Sequence, residues 1–145
     1  MPYVETSIVI KGDRENVYRL ARDMEQYPKF MRDVKSVKVI KRDGNITITE
    51  WETDVEDVSI SWREREEFDD KNMRIRYRLI EGDLDKFEGE WIFKELPDGT
   101  EVILTVDFDF GMPTLAELIG PVLEMKVKEN SRMMLEGMKE RIEGC

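Results

Sequence analysis

The sequence predicts an α+β fold in which a curved antiparallel sheet of about seven strands wraps around a long C-terminal helix, with two short helices after the first strand. From Val34 to Phe110, apolar and polar residues alternate with the two-residue period of half-buried strands. In the last third, apolar side chains instead recur every three or four residues, which indicates an amphipathic helix. Because a sheet with one apolar face needs a covering layer, we expect the helix to lie on that face.

The chain begins with a predicted strand and two predicted short helices. Residues 3–11 alternate and are rich in Val, Ile and Thr, which favours a strand. Asp13 is a suitable N-cap for a helix over residues 14–22. A second short helix is predicted over 25–31, with Pro28 in its first turn, where proline is tolerated.

The alternating region divides into strands at short turn sequences rich in Gly, Asn and Asp. The predicted strands cover residues 35–43, 46–54, 57–69, 73–80, 85–96 and 100–110. Short turns between consecutive strands imply antiparallel hairpins. The strand over 73–80 carries a row of arginines on its outer face, and we expect these to pair with Glu67 and Asp69 across the hairpin.

The last third is predicted to form a short helix, a break at Gly120–Pro121, and one long helix to the C-terminus. The face of this helix that would cover the sheet is rich in methionine and in small or polar residues, including Asn130, Ser131, Met134 and Met138. Methionine adapts to irregular space. Two interpretations stay open: a loosely packed core, or a pocket between the helix and the sheet.

Composition limits the possible functions. A chain of 145 residues fits one domain, taken as residues 1–145, and can bury a core. A net charge of −10 disfavours nucleic-acid binding, which depends on Lys and Arg contacts with phosphate. There is no histidine and only one cysteine, Cys145, which excludes Ser-His and Cys-His nucleophiles and the usual zinc sites. We therefore expect neither a metal nor another cofactor.

The expected location is the cytoplasm. No apolar run approaches the roughly 20 residues that a membrane-spanning helix needs. The first residues also lack the charged and then apolar pattern of a secretory signal. The oligomeric state is left open by the sequence.

Two glutamates are candidates for acid–base chemistry. If the alternation that starts at Val58 continues, Glu64 and Glu66 lie on the same inward face as Trp62. A carboxyl group in an apolar cavity has a raised pKa and can act as an acid or a base. The alternative is that the strand leaves the core after Trp62 and both glutamates are solvated, because charged residues are rarely buried without a partner. Of the two, Glu64 is the stronger candidate.

Large aromatic residues on the strands are candidates for ligand contacts. Trp51, Trp62, Tyr77 and Trp91 either pack in the core or line a cavity and stack on a flat ligand. Tyr77 also has a hydroxyl that could bind a ligand carbonyl. We add Phe108, on the inward face of the last strand, to the predicted ligand-binding set.

Three segments give the chain a family resemblance. It resembles the START-like superfamily with the helix-grip fold, in the branch of the polyketide cyclases/dehydrases and the coenzyme-Q-binding START proteins. The segments that carry the resemblance are DMEQYPKFM at 23–31, SWRERE at 61–66, and EGD at 81–83 followed by FEGEW at 87–91. The resemblance extends over nearly the whole chain. It implies a cavity between the sheet and the long helix that accepts apolar or aromatic ligands.

Three functions remain open at this point. The first is binding of a hydrophobic small molecule, which is aromatic, polyketide-like or isoprenoid-like, in that cavity. The second is an aromatase/cyclase or dehydratase that acts on a polyketide-like substrate, with proton transfer by Glu64 and Tyr77. The third is a protein-interaction role like that of the ribosome-association branch of the superfamily, and the net negative charge argues against direct RNA contact there.

Overall fold

The predicted fold and element order are confirmed. The protein is described here by a computed structural model covering residues 3–55, 58–109 and 113–144. After the first strand, β1, come the helix α1 and a short 3-10 helix, then the strands β2 to β7 and the long helix α2. The elements are β1 Tyr3–Ile10, α1 Arg14–Arg22, the 3-10 helix Met24–Lys29, β2 Val34–Asp43, β3 Ile46–Val55, β4 Val58–Asp69, β5 Arg74–Gly82, β6 Lys86–Leu96, β7 Gly99–Asp109 and α2 Pro113–Glu143.

The strands form one seven-stranded curved antiparallel sheet in the order β1-β7-β6-β5-β4-β3-β2. Short turns connect β2 to β7, so each of these strands pairs with the next one along the chain. β1 is the exception, since it pairs with β7 at the far edge. The first strand and the last strand are therefore neighbours.

Strand alternation decides which side chains enter the core. On β7, Val102, Leu104, Val106 and Phe108 are all buried. α2 covers this inner face and contributes Leu135 and Met138 to the same core, while α1 contributes Val17, Tyr18 and Ala21. An apolar inner face covered by helices is usual for an antiparallel sheet. On β7 the other face is also largely covered, since Ile103 and Thr105 are each 9% exposed.

The predicted break in the C-terminal helix is wrong. The backbone is helical without interruption from Pro113 to Glu143, through Gly120–Pro121. A proline inside a helix removes one backbone donor and strains the preceding turn, but the residues on both sides can keep helical dihedral angles. Gly120–Pro121 therefore lowers the stability of the helix locally but does not end it.

The expected partners of the outer arginines are also corrected. Arg74 and Arg76 both bind the carboxylate of Glu90 on β6, at 3.0 and 3.1 Å, instead of Glu67 and Asp69 on β4. Arg76 lies directly opposite Glu90 in the register of β5 and β6. In the register of β4 and β5, Arg74 and Arg76 do lie opposite Asp69 and Glu67. The ion pairs form instead with the other flanking strand, because each β5 side chain has neighbours on both sides and Glu90 can bind both arginines.

The C-terminal end of α2 is anchored to the end of β1 and to the 3-10 helix. Lys139 donates a hydrogen bond to the carbonyl of Val9 at 2.8 Å, and Glu143 accepts one from the amide of Lys11 at 2.6 Å. At Gly137 the helix comes so close to the 3-10 helix that a Cβ atom would overlap the carbonyl oxygen of Phe30. Glycine at 137 therefore permits this contact.

Gly137→Ala is expected to lower the free energy of unfolding by about 1–3 kcal/mol, because the added methyl group overlaps the Phe30 carbonyl. This expected loss is opposite in sign to the effect of helix propensity, which favours Ala over Gly by roughly 1 kcal/mol. Urea denaturation of both proteins measures the difference. Glu136→Ala, at an exposed position of the same helix, is the control and should change stability by less than about 0.5 kcal/mol. An unchanged or more stable Gly137→Ala protein would show that the helix has room to move.

Asp33 is a buried acid where the 3-10 helix joins β2. Its side chain is 4% exposed, and neither carboxylate oxygen accepts a hydrogen bond from another described residue. Burial raises the pKa of Asp33 to about 6. The folded state therefore holds this proton more tightly than the unfolded state does, so stability falls as the pH rises from about 4 to about 6.

Asp33→Asn is expected to stabilise the protein at pH 7.5 by up to about 3 kcal/mol, because the neutral amide does not have to lose a proton. At pH 4 the two proteins should differ little, since Asp33 is then protonated in the folded state. Denaturation at both pH values measures the difference. A gain in the Asp33→Asn protein that is equal at both pH values would show that burial of charge is not its cause.

No helix among the described residues has an apolar stretch long enough to cross a bilayer. Within the same residues, no group of three or more acidic or Cys side chains is arranged to hold a metal ion. The expectation that the protein needs no cofactor stays a prediction.

Candidate functional site

A cavity of about 220 Å³ lies between the inner face of the sheet and α2. Its sheet wall is formed by inward side chains of β3 to β7 and by Leu84, which lies between β5 and β6. Its helix wall is formed by one face of α2. The lining residues are Trp51, Thr53, Ile60, Trp62, Glu64, Tyr77, Leu84, Phe87, Trp91, Leu104, Val106, Lys126, Val127, Asn130, Ser131 and Met134.

The sheet wall is mainly aromatic because large rings occupy inward positions on neighbouring strands. Trp51 and Trp62 are paired in the register of β3 and β4, and their rings stack 5.6 Å apart with planes 9° from parallel. Phe87 packs against Trp62 and Tyr77, at 5.1 and 5.6 Å between ring centroids. Tyr27 of the 3-10 helix is a fully buried residue, and its ring packs against the ring of Trp51. The rings are thus held in fixed positions before any ligand binds.

Two glutamates of β4 lie inside, at 3% exposure for Glu64 and 0% for Glu66. Glu66 lies beyond the cavity lining, and its two oxygens accept hydrogen bonds from the hydroxyls of Thr47 and Thr49, at 2.7 and 2.5 Å. Glu64 lines the cavity and accepts a hydrogen bond from the indole nitrogen of Trp62 at 2.8 Å. The inward alternation of β4 therefore continues past Trp62.

Burial raises the pKa of Glu64 well above its ordinary value. The charge of the neighbouring Glu66 and a hydrogen bond between the two carboxyl groups raise it further, and the Trp62 hydrogen bond only partly offsets these effects. The raised pKa favours the protonated form of Glu64. Glu66 accepts a hydrogen bond on each of its two oxygens, which compensates for the burial of this polar group.

Tyr77 lines the cavity with its ring, while its hydroxyl points to the sheet backbone. The hydroxyl donates a hydrogen bond to the carbonyl of Thr105 at 2.5 Å. This contact depends on Gly89, where a Cβ atom would lie 2.8 Å from the Tyr77 hydroxyl and would overlap the Thr105 carbonyl oxygen. Burial, and then the charge of Glu64, raises the pKa of Tyr77 well above its usual value, so it is a weak acid here.

The helix wall is more polar than the sheet wall. It presents Lys126, Asn130 and Ser131 beside Val127 and Met134. Ser131 is 3% exposed, and Lys126 lies 3.9 Å from the carboxylate of Glu129 on the same helix. The adjacent pairs Lys126–Val127 and Asn130–Ser131 and the single residue Met134 follow one another at intervals of three to four positions, so one face of α2 carries all of them.

The structure brings together most of the residues predicted as a site and leaves two apart. The cavity lining contains Glu64, Trp51, Trp62, Tyr77, Trp91, Asn130, Ser131 and Met134. Phe108 and Met138 are buried in the core and do not reach the cavity. That any of the lining residues binds a ligand stays a prediction.

Sequence reasoning missed Thr47 and Thr49, which hold Glu66. They share the inward face of β3 with Trp51, while Ile46 and Ile48 face outward. A strict two-residue period counted back from Trp51 would have placed both threonines inside. Because Ile46 and Ile48 are apolar, the alternation favoured the opposite face as the inward one.

Comparison with known proteins gives a consistent result. The sequence profile of the family described as polyketide cyclase / dehydrase and lipid transport matches residues 10–135. A putative polyketide cyclase of Streptomyces cyaneus is 26% identical, and the match covers 97% of this chain and 93% of that protein.

Two solved structures are also similar. TTHA0849 from Thermus thermophilus is 34% identical, with a TM-score of 0.93 and 97% of both chains covered. The Zhui aromatase/cyclase from Streptomyces sp. R1128 is 20% identical, with a TM-score of 0.88 over 97% of this chain and 93% of that one. At this identity, the second likeness shows the fold alone. The match to the family profile confirms the family resemblance that the sequence segments indicated.

Proposed function

Since the chain belongs to the family of polyketide cyclases, dehydrases and lipid-transport proteins, we propose that it binds a hydrophobic small molecule in the cavity between its sheet and α2. The ligand is aromatic, polyketide-like or isoprenoid-like. The observation that carries the proposal is the lining itself, which is built mainly from aromatic and aliphatic side chains. A concave, largely apolar site with a few polar groups is the usual form of a small-molecule pocket.

The energetics support an apolar ligand. Burial of apolar surface contributes roughly 25 cal/mol per Å², so a two-ring aromatic ligand gains several kcal/mol from the aromatic wall. The rings are held by contacts with each other and with Tyr27, so little side-chain entropy is lost on binding. A pocket that is formed in advance needs no large rearrangement to accept a ligand.

The test is a titration with N-phenyl-1-naphthylamine, a neutral aromatic dye whose fluorescence rises in apolar surroundings. We expect saturable binding of one dye per chain. Native mass spectrometry of the purified protein, compared with a denaturing spectrum, would reveal a co-purified ligand and its mass. Absence of saturable dye binding would contradict the proposal, whatever the mass spectra show.

The second candidate is an aromatase/cyclase or dehydratase that acts on a polyketide-like substrate. Two observations favour it: the named activities of the relatives, and Glu64 in the cavity wall. Ring closure by aldol chemistry needs one group to remove a C–H proton and another to protonate the carbonyl oxygen. The Tyr77 hydroxyl is committed to a hydrogen bond with the Thr105 carbonyl, which favours the binding role.

Product analysis separates the two functions. The protein is incubated with a linear poly-β-ketone, and the cyclised and dehydrated products are compared with those of the spontaneous reaction. A binding protein leaves the product distribution unchanged. A new regiospecific product that disappears in Glu64→Gln would establish the enzyme instead.

A further inference from the structure

Three tryptophans line the cavity, and their indole N–H groups differ in what they bind. The N–H of Trp51 donates a hydrogen bond to the hydroxyl of Thr49 at 2.6 Å, and that of Trp62 donates to Glu64 at 2.8 Å. In both cases the acceptor lies two residues away on the same strand, so it shares the inward face with the indole. These two donors are therefore committed within the protein.

Trp91 has no such acceptor on its own strand or directly across on the strands beside it. The residues two positions away on β6 are Gly89 and Phe93, and neither has an acceptor atom in its side chain. Its cross-strand neighbours are Ile75 on β5 and Leu104 on β7, which are both aliphatic. Within the part of the chain that the structure describes, no residue accepts a hydrogen bond from the Trp91 nitrogen.

The Trp91 nitrogen is open to the cavity. Several described residues have polar side-chain atoms that are sealed from solvent and lack a hydrogen-bond partner, and Trp91 is not one of them. Trp91 is only 3% exposed, so this small exposed part includes the nitrogen. Because Trp91 lines the cavity, the exposed part faces it. The ring packs against that of Tyr27 at 6.0 Å between centroids, which fixes the direction of the N–H.

We propose that Trp91 is a specificity-determining residue that selects ligands with a carbonyl oxygen on the part of the ring system that meets its indole N–H. This inference rests on the proposed ligand binding in the same cavity. An indole N–H can donate a hydrogen bond and cannot accept one. A ligand carbonyl supplies the acceptor that the neighbouring side chains lack. A ligand C–H group at the same place leaves a buried donor unpaired, which is unfavourable.

The other polar side chains of the lining do not make the same selection. Thr53, Asn130 and Ser131 each carry both donor and acceptor groups, so they can bind either kind of ligand atom. Lys126 is a cation and favours anionic groups, so neutral ligands are used in the test. The preference for a neutral carbonyl is therefore assigned to Trp91.

The test compares 2-acetylnaphthalene with 2-isopropenylnaphthalene, two neutral ligands of nearly the same shape in which a carbonyl oxygen takes the place of a methylene group. Both are titrated by calorimetry into the wild-type protein and into Trp91→Phe. The affinity of the ketone divided by that of the hydrocarbon is expected to fall about fivefold in Trp91→Phe, which is the effect of one net hydrogen bond. Comparison of this ratio between proteins cancels the greater hydrophobicity of the hydrocarbon.

The same ratio in both proteins would overturn the inference, as would a wild-type protein that binds neither ligand. The proposed function is decided separately by the titration with N-phenyl-1-naphthylamine. Saturable binding of this dye, together with an unchanged ratio, would therefore leave the proposed function intact.

Trp51→Phe is the matched control, because it removes an indole N–H that is already bound to Thr49. It also replaces an indole of the cavity lining by a smaller ring, so the affinities for both ligands should fall together. Their ratio should stay at the wild-type value. An equal fall of the ratio in Trp51→Phe and Trp91→Phe would show an effect of ring size, and the assignment to Trp91 would be wrong.

Proton–nitrogen NMR of the indole groups gives a second measurement, which uses the wild-type protein and does not depend on the folding of Trp91→Phe. The chain has three tryptophans and therefore three indole N–H signals. The Trp91 proton should resonate further downfield in the ketone complex than in the hydrocarbon complex, because a hydrogen bond deshields it. The signals of Trp51 and Trp62 should differ little between the two complexes. Equal positions of the Trp91 signal in both complexes would contradict the proposal.

Discussion

Ser131→Phe is expected to abolish binding of N-phenyl-1-naphthylamine while it leaves the melting temperature unchanged or higher. Ser131 lines the cavity at 3% exposure, so a phenyl ring at this position occupies the space that a ligand would take. In a cavity of about 220 Å³, the ring buries apolar surface instead of overlapping core atoms, which stabilises the folded state. A thermal melt and a dye titration on both proteins measure the two effects.

Arg132→Phe is the matched control, because it places the same ring on the exposed side of the same helix. It should bind the dye as the wild-type protein does. A fall of several degrees in the melting temperature of Ser131→Phe would show a filled core at this level of α2, since overpacking costs about 1–3 kcal/mol. Unchanged dye affinity would place the ligand elsewhere.

Glu64→Gln is expected to remove a large part of the pH dependence of stability. The pKa of Glu64 is raised in the folded state, so the folded protein holds this proton where the unfolded chain has already released it. The free energy of unfolding of the wild type therefore falls by about 1.4 kcal/mol for each pH unit above the ordinary pKa, until the folded-state pKa is reached. Gln has no proton to lose, so the variant should be as stable as the wild type at pH 4 and more stable at pH 7.

Chemical denaturation at half-unit pH steps measures this difference. Because Asp33 titrates in both proteins, its contribution cancels when they are compared at each pH. Glu67→Gln, on the solvated face of β4, should follow the wild-type profile. If Glu64→Gln lost several kcal/mol at pH 7, Glu64 would be an ionised partner in a satisfied ion pair, and its interpretation as a buried acid with a raised pKa would be wrong.

The sheet could be predicted almost completely from the sequence, because strand period and turn chemistry are local properties. The predicted strand over 46–54 and the observed Ile46–Val55 differ by one residue, and the turns at Gly44 and at Pro97–Asp98 separate the strands as expected. The prediction of a helix break failed because Gly and Pro indicate only a local cost in free energy. The length of α2 depends on the stability of the whole helix. Arg74 lies opposite Asp69, as the hairpin predicts, and still binds Glu90 on β6, because a strand inside a sheet has a competing neighbour on its other side.

The site could be predicted only in part, for a related reason. The two-residue alternation of each strand identifies its inward face. This was enough to place Trp51, Trp62 and Glu64 on the same side of the sheet. It does not give the level of a side chain along the helix axis, which is why Phe108 and Met138 share that side and still lie in the core. A cavity is the space that packing leaves over, so no single residue encodes it.

The pairing of β1 with β7 has a consequence for biosynthesis. The strands β2 to β7 follow one another in the sheet, so each hairpin can form as soon as its second strand has left the ribosome. β1 emerges first, but its partner ends at Asp109. At about 5–20 residues per second, β1 waits roughly 5–20 seconds for that partner. During this interval the nascent chain carries an unpaired first strand, and folding ends when β1 docks on β7 and α2 closes over both.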